Sequence, residues 1–166
     1  TKVAIETGDI TNFDLGRQFD LITVPYRVFQ NLETDDQADG FFQAIRRHLK
    51  TDGICISNVF QPWPVERIRE SWGLENEIFC WELPFENGYV TGHERKQHFD
   101  DQKRILYPES IYRRYVNGCL TETAIQQVCM RLYYPEGFQK IIEEKGFSIM
   151  GSWGGYEGEP YGEGNE

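Results

Sequence analysis

The chain has 166 residues, 39% of them hydrophobic and 27% charged, enough to bury one core and too apolar for a disordered segment. Its 27 acidic residues against 17 basic ones give a formal net charge of −10, which repels phosphate backbones and excludes nucleic acid as a partner. No run approaches the ~18 apolar residues of a membrane span and none reads as a signal peptide, so neither a membrane nor secretion is expected and the location is cytoplasmic.

In chain order, Lys2 to Thr7 is short and β-branched and predicts a strand, closed by Gly8-Asp9 with turn chemistry at Thr11-Asn12. Phe19 to Tyr26 is a nearly continuous apolar run, as in a strand buried on both faces of a parallel sheet, and Pro25 ends its pairing. From Asp35 to Leu49 the positions Ala38, Phe41, Phe42, Ile45 and Leu49 recur at helical spacing. Thr34 or Asp35 caps that helix, Arg46, Arg47 and Lys50 suit its negative end, and His48 takes a surface role in the last turn. Thr51-Asp52-Gly53 stops the helix, and Ile54 to Phe60 is a second apolar strand, joined to the first by a right-handed crossover. Pro62 and Pro64 then break the chain before a short helix over Val65 to Trp72.

The pattern changes at Asn76. Phe79, Trp81, Leu83 and Phe85 alternate onto one face, and turns at Asn87-Gly88, Asp100-Asp101-Gln102 and Asn117-Gly118 predict an antiparallel meander of about four strands over residues 76–134. His93 and His98 lie five apart, on opposite faces of a regular strand. Arg95, Lys96, Lys103 and Arg104 read as a solvated hairpin beside Asp100 and Asp101. Pro135 opens a helix carrying Phe138, Ile141 and Ile142 on one stripe, Gly146 stops it, and Phe147 to Trp153 predicts a further strand. The Gly-rich acidic tail, residues 154–166, has no core of its own and packs as a loop or frays. Cys55, Cys80, Cys119 and Cys129 show no metal-ligand spacing and read as buried free thiols, so no metal is expected. The expectation is one α/β domain over residues 1–166, with a core at 1–75 and 135–153 and an antiparallel β insertion at 76–134.

In an open α/β sheet, ligands bind beyond the carboxyl ends of the parallel strands. That selects Gly8-Asp9-Ile10, then Val24-Pro25-Tyr26-Arg27, then Asn58-Val59-Phe60. The order and spacing of these segments resembles class I S-adenosylmethionine-dependent methyltransferases of the small-molecule N- or O-methylating type. Tyr134-Pro135-Glu136-Gly137-Phe138 and Glu144-Lys145-Gly146-Phe147 look like the late helix and strand of the same fold. The fold class so implied is a partial Rossmann-like methyltransferase sheet with an antiparallel β-meander insertion.

The resemblance implies S-adenosylmethionine as cofactor. Asp9 would accept from the exocyclic amine of adenine and Ile10 would pack on its ring, while the alternative for Asp9 is a turn cap. Val24, Pro25 and Tyr26 would lie beneath the sulfonium, where an aromatic face stabilises a cation. Tyr26 and Phe29 read alternatively as core aromatics, and for Phe29 the core is preferred. Arg27 and Gln30 would face the acceptor, with Asn58, Phe60 and Tyr133 as further substrate-side residues; Tyr107 and Tyr112 are not separated from Tyr133 by spacing. Methyl transfer needs alignment more than a base, and no catalytic residue is assigned.

The family's Gly-rich loop, its ribose-binding acid and its last strand have no counterpart in the sequence, so the chain alone is expected not to turn over. The strands it does carry would then lack neighbours, and the expected remedy is a homodimer through residues 1–30. The alternatives are a non-catalytic methyltransferase-like fragment acting as a dimeric or ligand-binding module, and a meander that forms a cup for an apolar ligand.

Overall fold

The computed structural model describes residues 3–60, 63–72 and 76–161. In chain order the elements are β1 (Phe19–Val24), a 3-10 turn (Val28–Asn31), α1 (Asp35–His48), β2 (Leu49–Ser57), α2 (Val65–Ser71), β3 (Ile78–Phe85), β4 (Gly88–Asp100), β5 (Ile105–Val116), β6 (Cys119–Gln127), β7 (Met130–Arg131) and α3 (Pro135–Glu144). They form two compact units, residues 1–61 with 133–166, and residues 62–132. Lys2 and Pro62, to which a strand start and a chain break were assigned above, lie outside the described residues, as do residues 162–166 of the tail.

The first unit is built on β1 and β2, which pair in parallel through Leu21↔Ile54 and Val24↔Ser57. The crossover between them is α1, and its start is set by local chemistry. The Thr34 hydroxyl accepts from the Gln37 amide, and the Gln37 side chain accepts from the Thr34 amide, a capping box. Asp35 and Asp36 open the helix and Arg46, Arg47 and His48 close it, each sign at the favourable end of the dipole. Its apolar stripe, Ala38, Phe41, Phe42 and Ile45, is buried with Val24, Phe29, Leu32 and Tyr133, and α3 adds Phe138, Ile141 and Ile142. Pro135 at the first turn and Gly146 in the left-handed region (φ 75°) bound α3 as expected.

Four expectations for this unit are corrected. Residues 3–9 form no strand, and Val3 and Ile5 are exposed. Phe147 to Met150 form none either, and Trp153 makes only an isolated bridge to Pro160. In both cases β propensity is present and a ladder partner is not: a strand exists by pairing, and among the described residues nothing pairs with either segment. The helix stops at His48, and Thr51-Asp52-Gly53 lies inside β2, which runs from Leu49. Pairing of Leu49 with Phe19 starts the strand early. Gly53 suits this close pairing, since a Cβ would crowd the Leu49 side chain at 2.9 Å and the Phe19 carbonyl oxygen at 3.0 Å. Finally, His48 is buried rather than exposed, stacked on Phe13 at 4.5 Å. Its Nε2 accepts from the Leu15 amide at 2.9 Å, so the proton sits on Nδ1, which donates to the Ala44 carbonyl at 2.7 Å.

The second unit is an antiparallel sheet in the order β3-β4-β5-β6, with β7 paired to β5. Five strands stand where about four were expected, because the chain leaves the ladder at Val128-Cys129 and re-enters it as β7. Helix α2 seats Ile68 against Leu106 and Leu132. Asn117 and Gly118 both take positive φ (51° and 78°), as the Asn-Gly hairpin signal requires. At Asn87-Gly88 the chemistry differs: the turn residues are Glu86 and Asn87, and Gly88 begins β4 opposite Phe85. A Cβ on Gly88 would lie 1.9 Å from the Tyr115 carbonyl oxygen, so this glycine serves close strand approach.

The two histidines of β4 share a face, contrary to their five-residue spacing. His93 pairs with Ile111 and His98 with Tyr107, and the register shifts between Lys96 and His98. One bulged residue reverses the alternation. Arg95 is not a solvated charge either, since its guanidinium holds the Glu109 carboxylate at 2.5 Å, the glutamate being almost buried. All four cysteines are free, but Cys80 and Cys119 are exposed on the edge strands β3 and β6.

Candidate functional site

The residues selected after β1 and β2 come together in the first unit, whereas Asp9 and Ile10 follow no strand, because the segment before them does not pair. Beyond β1 the chain makes a turn in which Val28 N–H donates to the Pro25 carbonyl at 3.4 Å, and both central residues, Tyr26 and Arg27, have positive φ (58° and 59°). A turn of this hand normally carries Asn or Gly, and L side chains in it cost roughly 1–2 kcal/mol each. The turn is held by its neighbours. The Arg27 amide donates to Asn58 Oδ1 at 3.1 Å, and the Arg27 guanidinium lies 5.2 Å from the Phe60 ring centroid.

Gln30 makes a second clamp. It is wholly buried, and its carboxamide accepts from the Phe60 amide at 2.5 Å and donates to the Phe60 carbonyl at 3.4 Å. The loops after β1 and β2 are thereby joined at both ends of the same short span. Tyr133 is also buried, its ring 5.1 Å from Phe29, so Gln30 and Tyr133 support the loop from beneath. Phe29 is a core residue, as preferred from the sequence. Tyr26 projects outward and is 89% exposed.

The segment carrying Asp9 and Ile10 lies against α1 and the core cluster. Asp9 Oδ1 accepts from the Thr11 amide and the Thr11 hydroxyl, both at 2.8 Å. These two bonds, the backbone one first, hold the Asp9 carboxyl below its ordinary pKa, so it is ionised at neutral pH. Ile10 packs against the core cluster. The loop rests on the helix at Gly40, where a Cβ would stand 2.7 Å from the Thr11 carbonyl oxygen. Glycine inside a helix costs up to about 1 kcal/mol, and here it makes room for that loop.

Sequence reasoning missed one member of this constellation. Asn58 Nδ2 donates to the Tyr156 hydroxyl at 2.8 Å, which brings the Gly-rich tail to the end of β2. The signal available was a tyrosine set among glycines able to turn the chain back, but nothing in the sequence says where the turn points.

The second unit carries a polar cluster of its own. Glu77 pairs with Arg113 at 2.7 Å and lies 3.9 Å from His93, whose other ring nitrogen is 3.1 Å from the Thr91 hydroxyl. The Arg113 hydrogen bond holds the Glu77 carboxyl below its ordinary pKa. Of the remaining tyrosine candidates, Tyr107 stacks on His98 and Tyr112 lies against Trp81. Among the described residues no His, Cys, Asp and Glu side chains converge as a metal site, and no helix is long and apolar enough to cross a membrane.

The strain in the turn after β1 has a measurable consequence. Tyr26→Asn removes an exposed ring that packs on nothing buried and supplies a residue tolerant of positive φ. It is expected to raise stability by up to about 1 kcal/mol, read as a higher urea midpoint at unchanged slope.

No family model matches the chain, and no curated protein does. Solved structures do. An S-adenosylmethionine-dependent methyltransferase from Clostridium acetobutylicum, 17% identical, covers 99% of this chain and 62% of its own with a TM-score of 0.74. An amino pentose methyltransferase from Micromonospora echinaspora, involved in calicheamicin biosynthesis and solved with S-adenosylmethionine bound, is 18% identical and covers 91% of this chain and 59% of its own (TM-score 0.63). A sugar N-methyltransferase from Streptoalloteichus is 17% identical, covering 84% of this chain and 52% of its own (TM-score 0.63). The chain thus spans about three-fifths of the length of the solved structures it matches. Over that span it has the mixed α/β fold of the class I, Rossmann-like methyltransferases.

Proposed function

We propose that this protein transfers a methyl group from S-adenosylmethionine to an amine or hydroxyl of a small molecule, and that the acceptor is an amino sugar. The observation that carries the first part is the structural match over 99% of the chain at a TM-score of 0.74. The acceptor class rests on the sugar and amino pentose methyltransferases among the matches.

Asp9, Ile10 and the residues after β1 and β2 suit such a cofactor. Asp9 has a second carboxylate oxygen with which to accept from the adenine amine, and Ile10 offers an apolar edge for the ring. Val24, Pro25 and Tyr26 would serve the sulfonium end, where an aromatic face such as that of Tyr26 would contribute ~0.5–2 kcal/mol. Arg27, Asn58 and Phe60 would front the acceptor, while Gln30 and Tyr133 would act on it through the loop they support. When bound, the cofactor supplies an electrophilic methyl carbon. The chain's part is to align the acceptor lone pair behind that carbon, so that the new bond forms as the carbon–sulfur bond breaks.

Asp9→Ala is expected to weaken S-adenosylmethionine binding, because it removes the acceptor proposed for the adenine amine. Calorimetry on wild type and variant reads this directly. Equal affinities would leave Asp9 as a turn residue, and absence of binding to wild type would remove the methyltransferase proposal.

A homodimer is part of the same proposal. Parallel sheets are ordinarily covered on both faces, yet Leu21, Ile54 and Ile56 are exposed on the face of the β1–β2 pair away from α1. Val3 and Ile5 are exposed as well, so residues 1–30 present apolar surface for a second copy. Light scattering at micromolar concentration is expected to return twice the chain mass, and a monomer would refute the dimer.

A further inference from the structure

We infer that Tyr156 positions the methyl acceptor, its ring forming one wall of the acceptor pocket at the end of β2; this rests on the methyltransferase proposal above. The argument begins with the loop that carries it. Trp153 bridges to Pro160, and the Gly154 amide donates to the Glu159 carbonyl at 2.8 Å, which ties the two ends together. Glu159 folds its carboxylate back inside. There it accepts from the Glu157 amide at 2.9 Å and fills the space that a side chain on Gly155 would need, 2.6 Å from the ideal Cβ position. Gly158 supplies the remaining left-handed turn (φ 87°). Residues 153–160 are therefore a closed, internally plugged loop and not a fraying tail, with Tyr156 near its tip.

The hydrogen bond that fixes Tyr156 has only one possible polarity. A backbone amide can only donate, so the Arg27 N–H identifies the Asn58 atom facing it as Oδ1. Asn58 Nδ2 must then face Tyr156, and the phenol oxygen must accept. Its own hydrogen is left to point away from Asn58. Tyr156 is 78% exposed although its hydroxyl is pinned. An exposed aromatic ring held by one end is a preorganised face, and little entropy is lost when a flat ring packs on it. The pin also couples this wall to the strained Tyr26–Arg27 turn, since the same Asn58 side chain holds both. The exposed Glu157 carboxylate on the loop suits an acceptor that arrives as an ammonium ion and gives its proton to water before its lone pair attacks.

The test uses the full-length protein saturated with S-adenosylhomocysteine, the product of the cofactor, with glucosamine titrated in by calorimetry. Tyr156→Ala is expected to weaken glucosamine binding at least tenfold, with S-adenosylhomocysteine affinity and melting temperature unchanged. Tyr156→Phe, which keeps the ring but loses the hydroxyl that pins it, is expected to recover part of the loss. Wild-type affinity in the alanine variant, a phenylalanine variant as weak as alanine, or no glucosamine binding by the saturated wild type would each overturn the inference. Failure of the wild type to bind S-adenosylhomocysteine would overturn the methyltransferase proposal itself, and the inference with it.

Discussion

Phe29→Ala is expected to cost the first unit about 3–5 kcal/mol, the range for deleting a fully buried aromatic ring and leaving a cavity. Phe29 is 1% exposed, and its ring lies between 5.1 and 5.3 Å from those of Phe41, Phe42, Tyr133 and Phe138. Those four rings come from α1, from the chain entering α3, and from α3 itself. One deletion therefore loosens the packing of α1 and α3 together, and each offset aromatic pair adds to the area term. The stability of a small domain is only about 5–15 kcal/mol, so the variant is expected to lose a large part of it. Urea unfolding followed by tryptophan and tyrosine fluorescence reads the loss. A change under about 1 kcal/mol would mean that the site collapses without a cavity, and that this cluster is not what holds the unit.

Gly40→Ala is the more diagnostic change, because helix propensity and tertiary packing predict opposite signs. On propensity alone, alanine in the middle of α1 gains up to about 1 kcal/mol. The added Cβ would stand 2.7 Å from the Thr11 carbonyl oxygen and 3.2 Å from Thr11 Cβ, and a backbone oxygen is not easily displaced. We expect a net loss of about 1–3 kcal/mol, the usual scale for overpacking. Functionally, the loop that must yield is the one carrying Asp9 and Ile10, so weaker S-adenosylmethionine binding is expected alongside the lower melting temperature. A stabilised Gly40→Ala protein with unchanged cofactor affinity would show that the loop does not rest on the helix.

Helix α1 was legible because every determinant is local. Thr34 and Gln37 close its first turn, charges of the right sign sit at each end, and the stripe from Ala38 to Ile45 has the helical period. The hairpin at Asn117-Gly118 and the start of α3 at Pro135 were legible for the same reason. The residues at the ends of β1 and β2 followed from a topological rule applied to correctly placed strands. What failed were the segments whose structure depends on a partner. Residues 3–7 and 147–153 have the composition of strands, but the pairing that would make them so is a non-local event. The bulge between Lys96 and His98 escaped because it is set by the register of β4 against β5, and it placed His93 and His98 on one face.

The site divides along the same line. Which residues follow β1 and β2 was in the sequence, whereas Asp9 was selected at the end of a strand that does not form, and its turn-cap alternative is what the Thr11 bonds show. The sequence by itself determined the fold class, the helices and the loops that meet at the strand ends, since periodicity, caps and turn residues act over a few positions. Only the tertiary structure decided that Tyr26 and Arg27 take a left-handed turn, that Gln30 is spent on holding Phe60, and that Asn58 reaches 98 residues along the chain to Tyr156. Those outcomes depend on which atoms approach across the fold. A hydrogen bond between distant residues leaves no periodic trace in the order of amino acids.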